Sequence, residues 1–160
     1  MKVLCVNAGS SSLKFQLYEM PAEISIIGGY VEKIGAADSF YTIKFEGKKT
    51  ETKRAIKDHS EAVAVMLEEL VNYGAVADLS EIRGVGHRVL HGGEKYADSV
   101  VIDDQVLKDI KDLTKLGPLH HPGNIAGIKA MQKALPDAVQ VAVFDTAFHQ
   151  TIPKIGRAHV

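Results

Sequence analysis

The chain has 160 residues, of which 46% are hydrophobic and 24% charged, and its formal net charge is −1. This length predicts one domain with a hydrophobic core, and the near-neutral charge gives no electrostatic support for binding nucleic acid or an anionic membrane. The single cysteine, Cys5, excludes an internal disulfide framework. No apolar run reaches the ~18 residues of a membrane-spanning helix. We therefore predict a soluble, cytoplasmic protein.

The first part of the chain predicts strands. Residues 2–7 form a short apolar run rich in β-branched side chains, and apolar and polar residues alternate over 13–18. This alternation is typical of a strand with one buried face, so the small residues between the two runs predict the loop of a hairpin. Further strands are predicted over 24–27 and 40–45, with a turn at 46–49 leading into a polar strand.

The second part predicts alternating helices and strands. Asp58 and Glu61 have the spacing of a capping box, and an apolar stripe follows them up to Gly74, which is typical of a helix end. The remaining predicted elements are a strand running into a glycine turn over 82–93, a helix over 103–115, a helix beginning near Pro122 and a buried strand over 139–148. The order of elements predicts an α/β domain with a mixed β-sheet and flanking helices.

The loop of the predicted hairpin reads NAGSSSLK. Gly9 and Lys14 have part of the spacing of a Walker P-loop, but the second glycine is missing and a strand follows instead of a helix. A nucleophile elbow is excluded because G-x-S-x-G is absent. Two interpretations remain: a loop whose serine hydroxyls and Lys14 ammonium bind phosphate, or a simple serine and glycine turn. Asn7, at the end of the strand, has an amide oxygen suited to a hydrated magnesium ion.

An arginine lies inside the apolar strand of GHRVLHGGEKY, residues 86–96. Arg88 either forms a structural ion pair or binds an anion, and its planar fork suits a carboxylate or a phosphate. His87 and His91 are four residues apart, a zinc-ligand spacing only on a helix. The neighbouring glycines and β-branched residues indicate a strand and argue against a metal site.

Two later stretches carry polar side chains next to predicted elements. His120 lies in the turn PLHHPGN and either hydrogen-bonds a ligand or is an ordinary solvated or capping residue. Asp145 directly follows a hydrophobic strand in VFDTAFHQTIP. It is either a functional carboxylate, acting on substrate or metal-bound phosphate, or a cap of the following turn.

The ordered set NAGSSSLKFQL, VGHRVLHGGEKY, PLHHPGN and FDTAFHQTIP closely resembles the acetokinase family over residues 1–153. That family belongs to the sugar kinase, Hsp70 and actin superfamily, so the resemblance implies a ribonuclease H-like, actin-like ATPase domain. It also implies reversible phosphoryl transfer from ATP to acetate, giving acetyl phosphate and ADP, with Mg²⁺ or Mn²⁺ as the metal. It further implies that the whole protein is a homodimer.

The resemblance implies roles for four residues on the nucleotide side of the site. Asn7 would help to position the metal ion. Ser10, Ser12 and Lys14 would lie beside the phosphates of ATP.

It implies a second group on the acetate side. Arg88 would bind the carboxylate or its phosphorylated product, and Asp145 matches the residue that the family treats as its catalytic acid or base. His120 would line the site, and Leu90 and Leu119 would form part of the apolar pocket for the methyl group.

Two departures from the family pattern bear on function. His121 stands where the family usually has asparagine, and the sequence ends at residue 160 whereas acetokinases continue through a second domain. We expect 154–160, KIGRAHV, to be a non-native tail, and the chain alone to be inactive. The alternatives are a propionate or butyrate kinase, and a non-catalytic, actin-like nucleotide-binding module.

Overall fold

A computed structural model describes residues 1–89, 99–116 and 123–144 of the chain. Four predicted site residues, Leu90, Leu119, His120 and Asp145, lie outside the described residues. The elements are strands β1 (Lys2–Ala8), β2 (Leu13–Glu19), β3 (Ile24–Glu32), β4 (Phe40–Phe45), β5 (Lys48–Lys53), β6 (Ile82–Val89), β7 (Ser99–Val101) and β8 (Val139–Phe144), helices α1 (His59–Asn72), α2 (Asp104–Leu116) and α3 (Gly123–Ala134), and a short 3₁₀ helix, Leu79–Glu81.

The described strands form one sheet in the order β5-β4-β3-β2-β1-β6-β8-β7. Strands β1 to β5 pair antiparallel with their sequence neighbours, because short loops join them as hairpins. Strand β6 pairs parallel with β1 and β8 pairs parallel with β6, and helices lie between these strands in sequence, as parallel crossovers require. The predicted mixed-sheet α/β class with flanking helices is confirmed.

Helices α1 and α3 pack on one face of the sheet. Every second side chain of the central strands points to them, and Leu4, Leu13 and Leu17 are fully buried together with Met66 and Leu70 of α1. Because side chains alternate along a strand, the intervening positions of β1 and β2 point to the opposite face. That face carries a smaller apolar cluster built on Val3, Cys5, Met20, Val141 and Val143.

Helix α1 begins and ends close to the predicted positions. The Asp58 carboxylate accepts a hydrogen bond from the Glu61 backbone N–H at 2.9 Å, which satisfies one of the free N–H groups at the helix start. The Glu61 carboxylate accepts a hydrogen bond from the Lys57 N–H at 3.3 Å. Because a full capping box would have it accept from the N–H of Asp58, the predicted capping box is only half formed. Gly74 has φ +75°, a backbone conformation that favours glycine and ends the helix.

Strand β3 is longer than predicted, reaching Glu32 instead of residue 27. The sequence predicts that this strand ends before Gly28 and Gly29, because glycine is unfavourable in strands. Gly29 is needed for close approach, because a Cβ there would meet the backbone carbonyl oxygen of Thr42. A Cβ at Gly28 would meet only the end of the Gln16 side chain, which can move. Strand β7, of three residues, is not predicted by the alternation pattern.

Strand β5 is an edge of the sheet and reads KKTETK. Glu46 and Gly47 both have positive φ, 50° and 78°, as a two-residue hairpin turn requires. The strand therefore begins at Lys48, inside the predicted turn. Nearly all of its side chains are exposed, so charged residues cover this edge.

Candidate active site

A cleft of about 490 Å³ opens on the sheet face opposite α1 and α3. Its walls come from five neighbouring strands, β1, β2, β3, β4 and β6. The lining residues are Cys5, Asn7, Lys14, Phe15, Gln16, Tyr18, Gly29, Tyr30, Glu32, Lys44 and Arg88.

Strand register brings three of the predicted site residues to this cleft. Asn7 of β1 pairs directly with Lys14 of β2. Val6 pairs with His87 of the parallel strand β6. The next residues of these two strands, Asn7 and Arg88, are therefore neighbours across the sheet. Paired residues point to the same face of a sheet, and Asn7, Lys14 and Arg88 all line the cleft.

The two predicted serines lie in the loop that joins Asn7 to Lys14. Ser10 is exposed and Ser12 is half-buried, and neither is among the residues that line the cleft. A Cβ at Gly9 would lie 2.5 Å from Ser12 Oγ, so a side chain at that position would require the Ser12 hydroxyl to rotate away. The loop thus adjoins the Asn7 and Lys14 end of the cleft.

The cleft is positively charged. Three cationic side chains, those of Lys14, Lys44 and Arg88, face a single acidic one, Glu32. The Lys44 ammonium lies 5.4 Å from the centroid of the Tyr30 ring, within the range of a cation–π contact. The excess of positive charge favours an anionic ligand.

Arg88 holds an unused hydrogen-bond donor in this cleft. Its Nε is buried and has no hydrogen-bond partner among the described residues, and the ion pairs of those residues do not include Arg88. A buried donor without a partner costs about 1–3 kcal/mol. Of the two interpretations of Arg88, the described residues therefore favour anion binding over a structural ion pair.

The cleft thiol is unreactive at neutral pH. Burial raises the pKa of Cys5 to about 12, and a protonated thiol is a poor nucleophile. Cys5 is buried and therefore contributes packing beside the cleft.

The oxygen donors of the cleft and of the adjoining loop would suit a magnesium ion held mainly by a bound polyphosphate. Mg²⁺ prefers oxygen ligands and usually keeps several waters, with few protein groups and the substrate phosphates completing its shell. The Asn7 amide and the loop hydroxyls are donors of this kind. Among residues 1–89, 99–116 and 123–144, three or more His, Cys, Asp or Glu side chains do not gather into a metal-binding group.

His87 points away from the cleft, into the helix-covered face. Its Nε2 lies 2.7 Å from the Oε1 of Gln140, and because that carbonyl oxygen can only accept, Nε2 donates. Burial lowers the pKa of His87 from 6.5 to about 4, opposed by the hydrogen bond to Gln140. His87 is a neutral core residue of strand β6.

We expect His87 to make the folded chain sensitive to acid. Between pH 6.5 and 4 the unfolded chain binds a proton at this imidazole that the folded chain does not, so the free energy of unfolding falls as the pH falls through this range. A shift of this size corresponds to a loss of up to about 3 kcal/mol. Urea unfolding at pH 7 and pH 4 should show a smaller loss for His87→Gln than for the unchanged chain. An equal loss in both would contradict the assignment.

Sequence reasoning missed the cleft residues on β3 and β4. Tyr30, Glu32 and Lys44 line the cleft, but nothing in their local sequence distinguishes them from ordinary polar positions of an alternating strand. Their shared face becomes visible only through the pairing of β3 with β2 and β4. It also missed His59, the first residue of α1, whose Nε2 contacts the backbone of the loop between β1 and β2. In the sequence, only its neighbour Asp58 stands out, as a helix cap.

Among the described residues, no helix is long and apolar enough to cross a membrane.

The fold of the chain is shared with known kinases. The crystal structure of acetate kinase from Porphyromonas gingivalis matches with a TM-score of 0.86 and 42% identity, covering 94% of this chain and 38% of that one. A propionate kinase from Francisella tularensis matches with a TM-score of 0.81 and 37% identity, over 94% of this chain and 38% of that one. The chain therefore has the fold of the corresponding part of these acetate and propionate kinases.

Sequence similarity identifies the family of the chain. The model of the acetokinase family matches residues 2–158, and Acetate kinase 2 of Listeria monocytogenes serotype 4b (strain F2365) is 57% identical over 152 residues. The chain belongs to the acetokinase family, as its motifs predicted. The match covers 95% of this chain but 38% of the Listeria protein, so the chain spans well under half the length of that relative.

Proposed function

We propose that the full-length enzyme carrying this chain transfers a phosphoryl group reversibly from ATP to acetate, giving acetyl phosphate and ADP. The observation that carries the proposal is the juxtaposition in one positively charged cleft of Asn7, Lys14 and the Arg88 Nε donor, which has no partner among the described residues. The family membership of the chain supports the same reaction.

The reaction needs no general base. Carboxyl groups of this type have a pKa of about 4, so acetate is already an anion at neutral pH. A carboxylate oxygen forms a bond to the γ-phosphorus while the bond between that phosphorus and the β,γ-bridging oxygen breaks, and ADP leaves with the electron pair. The remaining difficulty is to bring two anions together, which positioning and positive charge achieve.

Arg88 suits the carboxylate side of this reaction. A guanidinium donates two parallel hydrogen bonds to a carboxylate or phosphoryl group, and it stabilises charge that builds up on the transferring phosphoryl group. Lys14 and the hydroxyls of Ser10 and Ser12 would serve the phosphates of ATP. Asn7 would help to hold Mg²⁺ or Mn²⁺, which supplies charge neutralisation on the phosphate oxygens when bound.

Four further residues belong to the proposal through the family motifs. Leu90 and Leu119 would contact the methyl group of acetate, and His120 would line the site. For Asp145 we propose that it orients Arg88 or metal-bound water, because acetate offers no proton to abstract.

Trapping of acetyl phosphate with hydroxylamine tests the proposal. The full-length enzyme should form acetyl hydroxamate when ATP, acetate and Mg²⁺ are all present. The 160-residue chain alone should form none above background, because phosphoryl transfer needs both walls of a cleft and this chain spans only 38% of its relative. ATP binding by the full-length enzyme without hydroxamate would instead indicate a non-catalytic, actin-like module.

A propionate kinase is the second candidate, since the Francisella propionate kinase has nearly the same fold. One methylene changes binding by only about 1–3 kcal/mol, so the two substrates are separated by kcat/KM and not by activity alone. The acetate proposal expects kcat/KM to decrease from acetate to propionate to butyrate. The reverse order would make this chain part of a kinase for a longer acid.

The proposal also covers the location, the assembly and the ligands of the enzyme. We expect a cytoplasmic homodimer that acts on small molecules and binds neither nucleic acid nor membranes.

A further inference from the structure

His59 lies directly beneath the serine-rich loop. It is the first residue of α1, is only 7% exposed, and its Nε2 is 2.8 Å from the Gly9 carbonyl oxygen and 3.2 Å from that of Ser12. Carbonyl oxygens only accept hydrogen bonds, so Nε2 carries a hydrogen and donates to both ends of the loop.

These bonds fix the direction in which the loop faces. The Gly9 N–H also donates to the Ser12 carbonyl oxygen, at 2.9 Å, so the backbone groups that close the loop are joined to each other and to His59. The two residues between them, Ser10 and Ser11, are exposed. The loop is thus held from its inner side while Ser10 and Ser11 face outward.

Helix α3 packs against the contact between His59 and the loop. A Cβ on Gly123 would lie 2.6 Å from His59 Nε2 and 3.0 Å from the Gly9 carbonyl oxygen. The imidazole therefore has little room to shift, and in sequence Gly123 follows the PLHHP motif immediately.

We propose that His59 is a positioning residue for phosphoryl transfer, which holds the Gly9–Ser12 loop where it meets the phosphates of ATP. The inference rests on the proposed kinase function. A displacement of about 1 Å in a group that positions substrate can lower the rate by as much as 10²-fold, so a remote hydrogen bond of this kind controls catalysis without touching substrate.

Two substitutions in the full-length enzyme separate positioning from packing. His59→Leu keeps the approximate bulk and removes the donor, whereas His59→Gln retains an N–H at a reach similar to that of Nε2. We expect His59→Leu to lower kcat/KM for ATP on the order of 10²-fold, with the KM for acetate changed less than about twofold. His59→Gln should recover most of this loss. His59→Asn, which is polar but too short to reach both carbonyls, should behave like His59→Leu.

The outcomes distinguish the inference from the proposed function. If the unchanged enzyme forms no acetyl hydroxamate, the proposed function fails. If it is active and His59→Leu stays within threefold of it, or if His59→Gln is impaired as strongly as His59→Asn, the positioning role is wrong. Should His59→Leu not fold, the comparison between His59→Gln and His59→Asn decides alone.

Discussion

Replacing Arg88 by alanine in the full-length enzyme is expected to lower kcat/KM for acetate on the order of 10³-fold, by analogy with the loss of an arginine that stabilises a transferring phosphoryl group. The reason is local. The Arg88 Nε is buried without a partner among the described residues, so this guanidinium is available to an anion in the cleft. Steady-state kinetics with the hydroxamate assay measures the effect.

Two controls make the Arg88 result specific. Arg88→Lys keeps the positive charge but loses the planar guanidinium that donates two parallel hydrogen bonds. Its kcat/KM should therefore lie between those of the unchanged enzyme and Arg88→Ala. The melting temperature of Arg88→Ala should stay near that of the unchanged enzyme, because no ion pair is lost among the described residues. A kinetic loss below tenfold, or a large drop in melting temperature, would show that Arg88 is mainly structural.

The second large effect is expected at the start of α3. Gly123→Ala should lower the free energy of unfolding by about 2 kcal/mol, the size usual for overpacking a filled site, because the new Cβ meets both the His59 ring and the Gly9 carbonyl. Neither neighbour moves freely, since hydrogen bonds join them to each other. Urea unfolding measures the change.

Gly127, one turn further along α3, is the matched control. A Cβ there has nothing within 4 Å, and alanine is favoured over glycine inside a helix by up to about 1 kcal/mol. Gly127→Ala should therefore be neutral or stabilising. A gain in stability at both glycines would show that helix propensity determines the result, and an equal loss at both would show that the loss at Gly123 does not come from the contact with His59.

The sequence predicted the fold where local patterns agree with tertiary structure. The strict alternation of β2 and the cap and glycine of α1 both correspond to observed elements. The pattern failed at Gly29, where close packing against the backbone of β4 requires the residue that local propensity disfavours. It also failed at β7, whose three residues are too few for any periodicity to show.

The candidate site was predictable where chemistry is concentrated in a short motif. Asn7 and Lys14 flank one loop, and Arg88 is conspicuous as a charge in an apolar strand. Tyr30 and Lys44 enter the cleft only through the pairing of distant strands. His59 reaches Gly9 across 50 residues of chain, a separation at which no local pattern carries information.

The lysine-rich strand β5 has a consequence for the behaviour of the protein at high concentration. An edge strand with free N–H and C=O groups is a template on which another molecule can add a strand, and so a starting point for fibres. Each added strand would bring Lys48, Lys49 and Lys53 of β5 against the like charges of an identical neighbour. This repulsion disfavours edge-to-edge polymerisation and keeps the open end of the sheet from recruiting further copies.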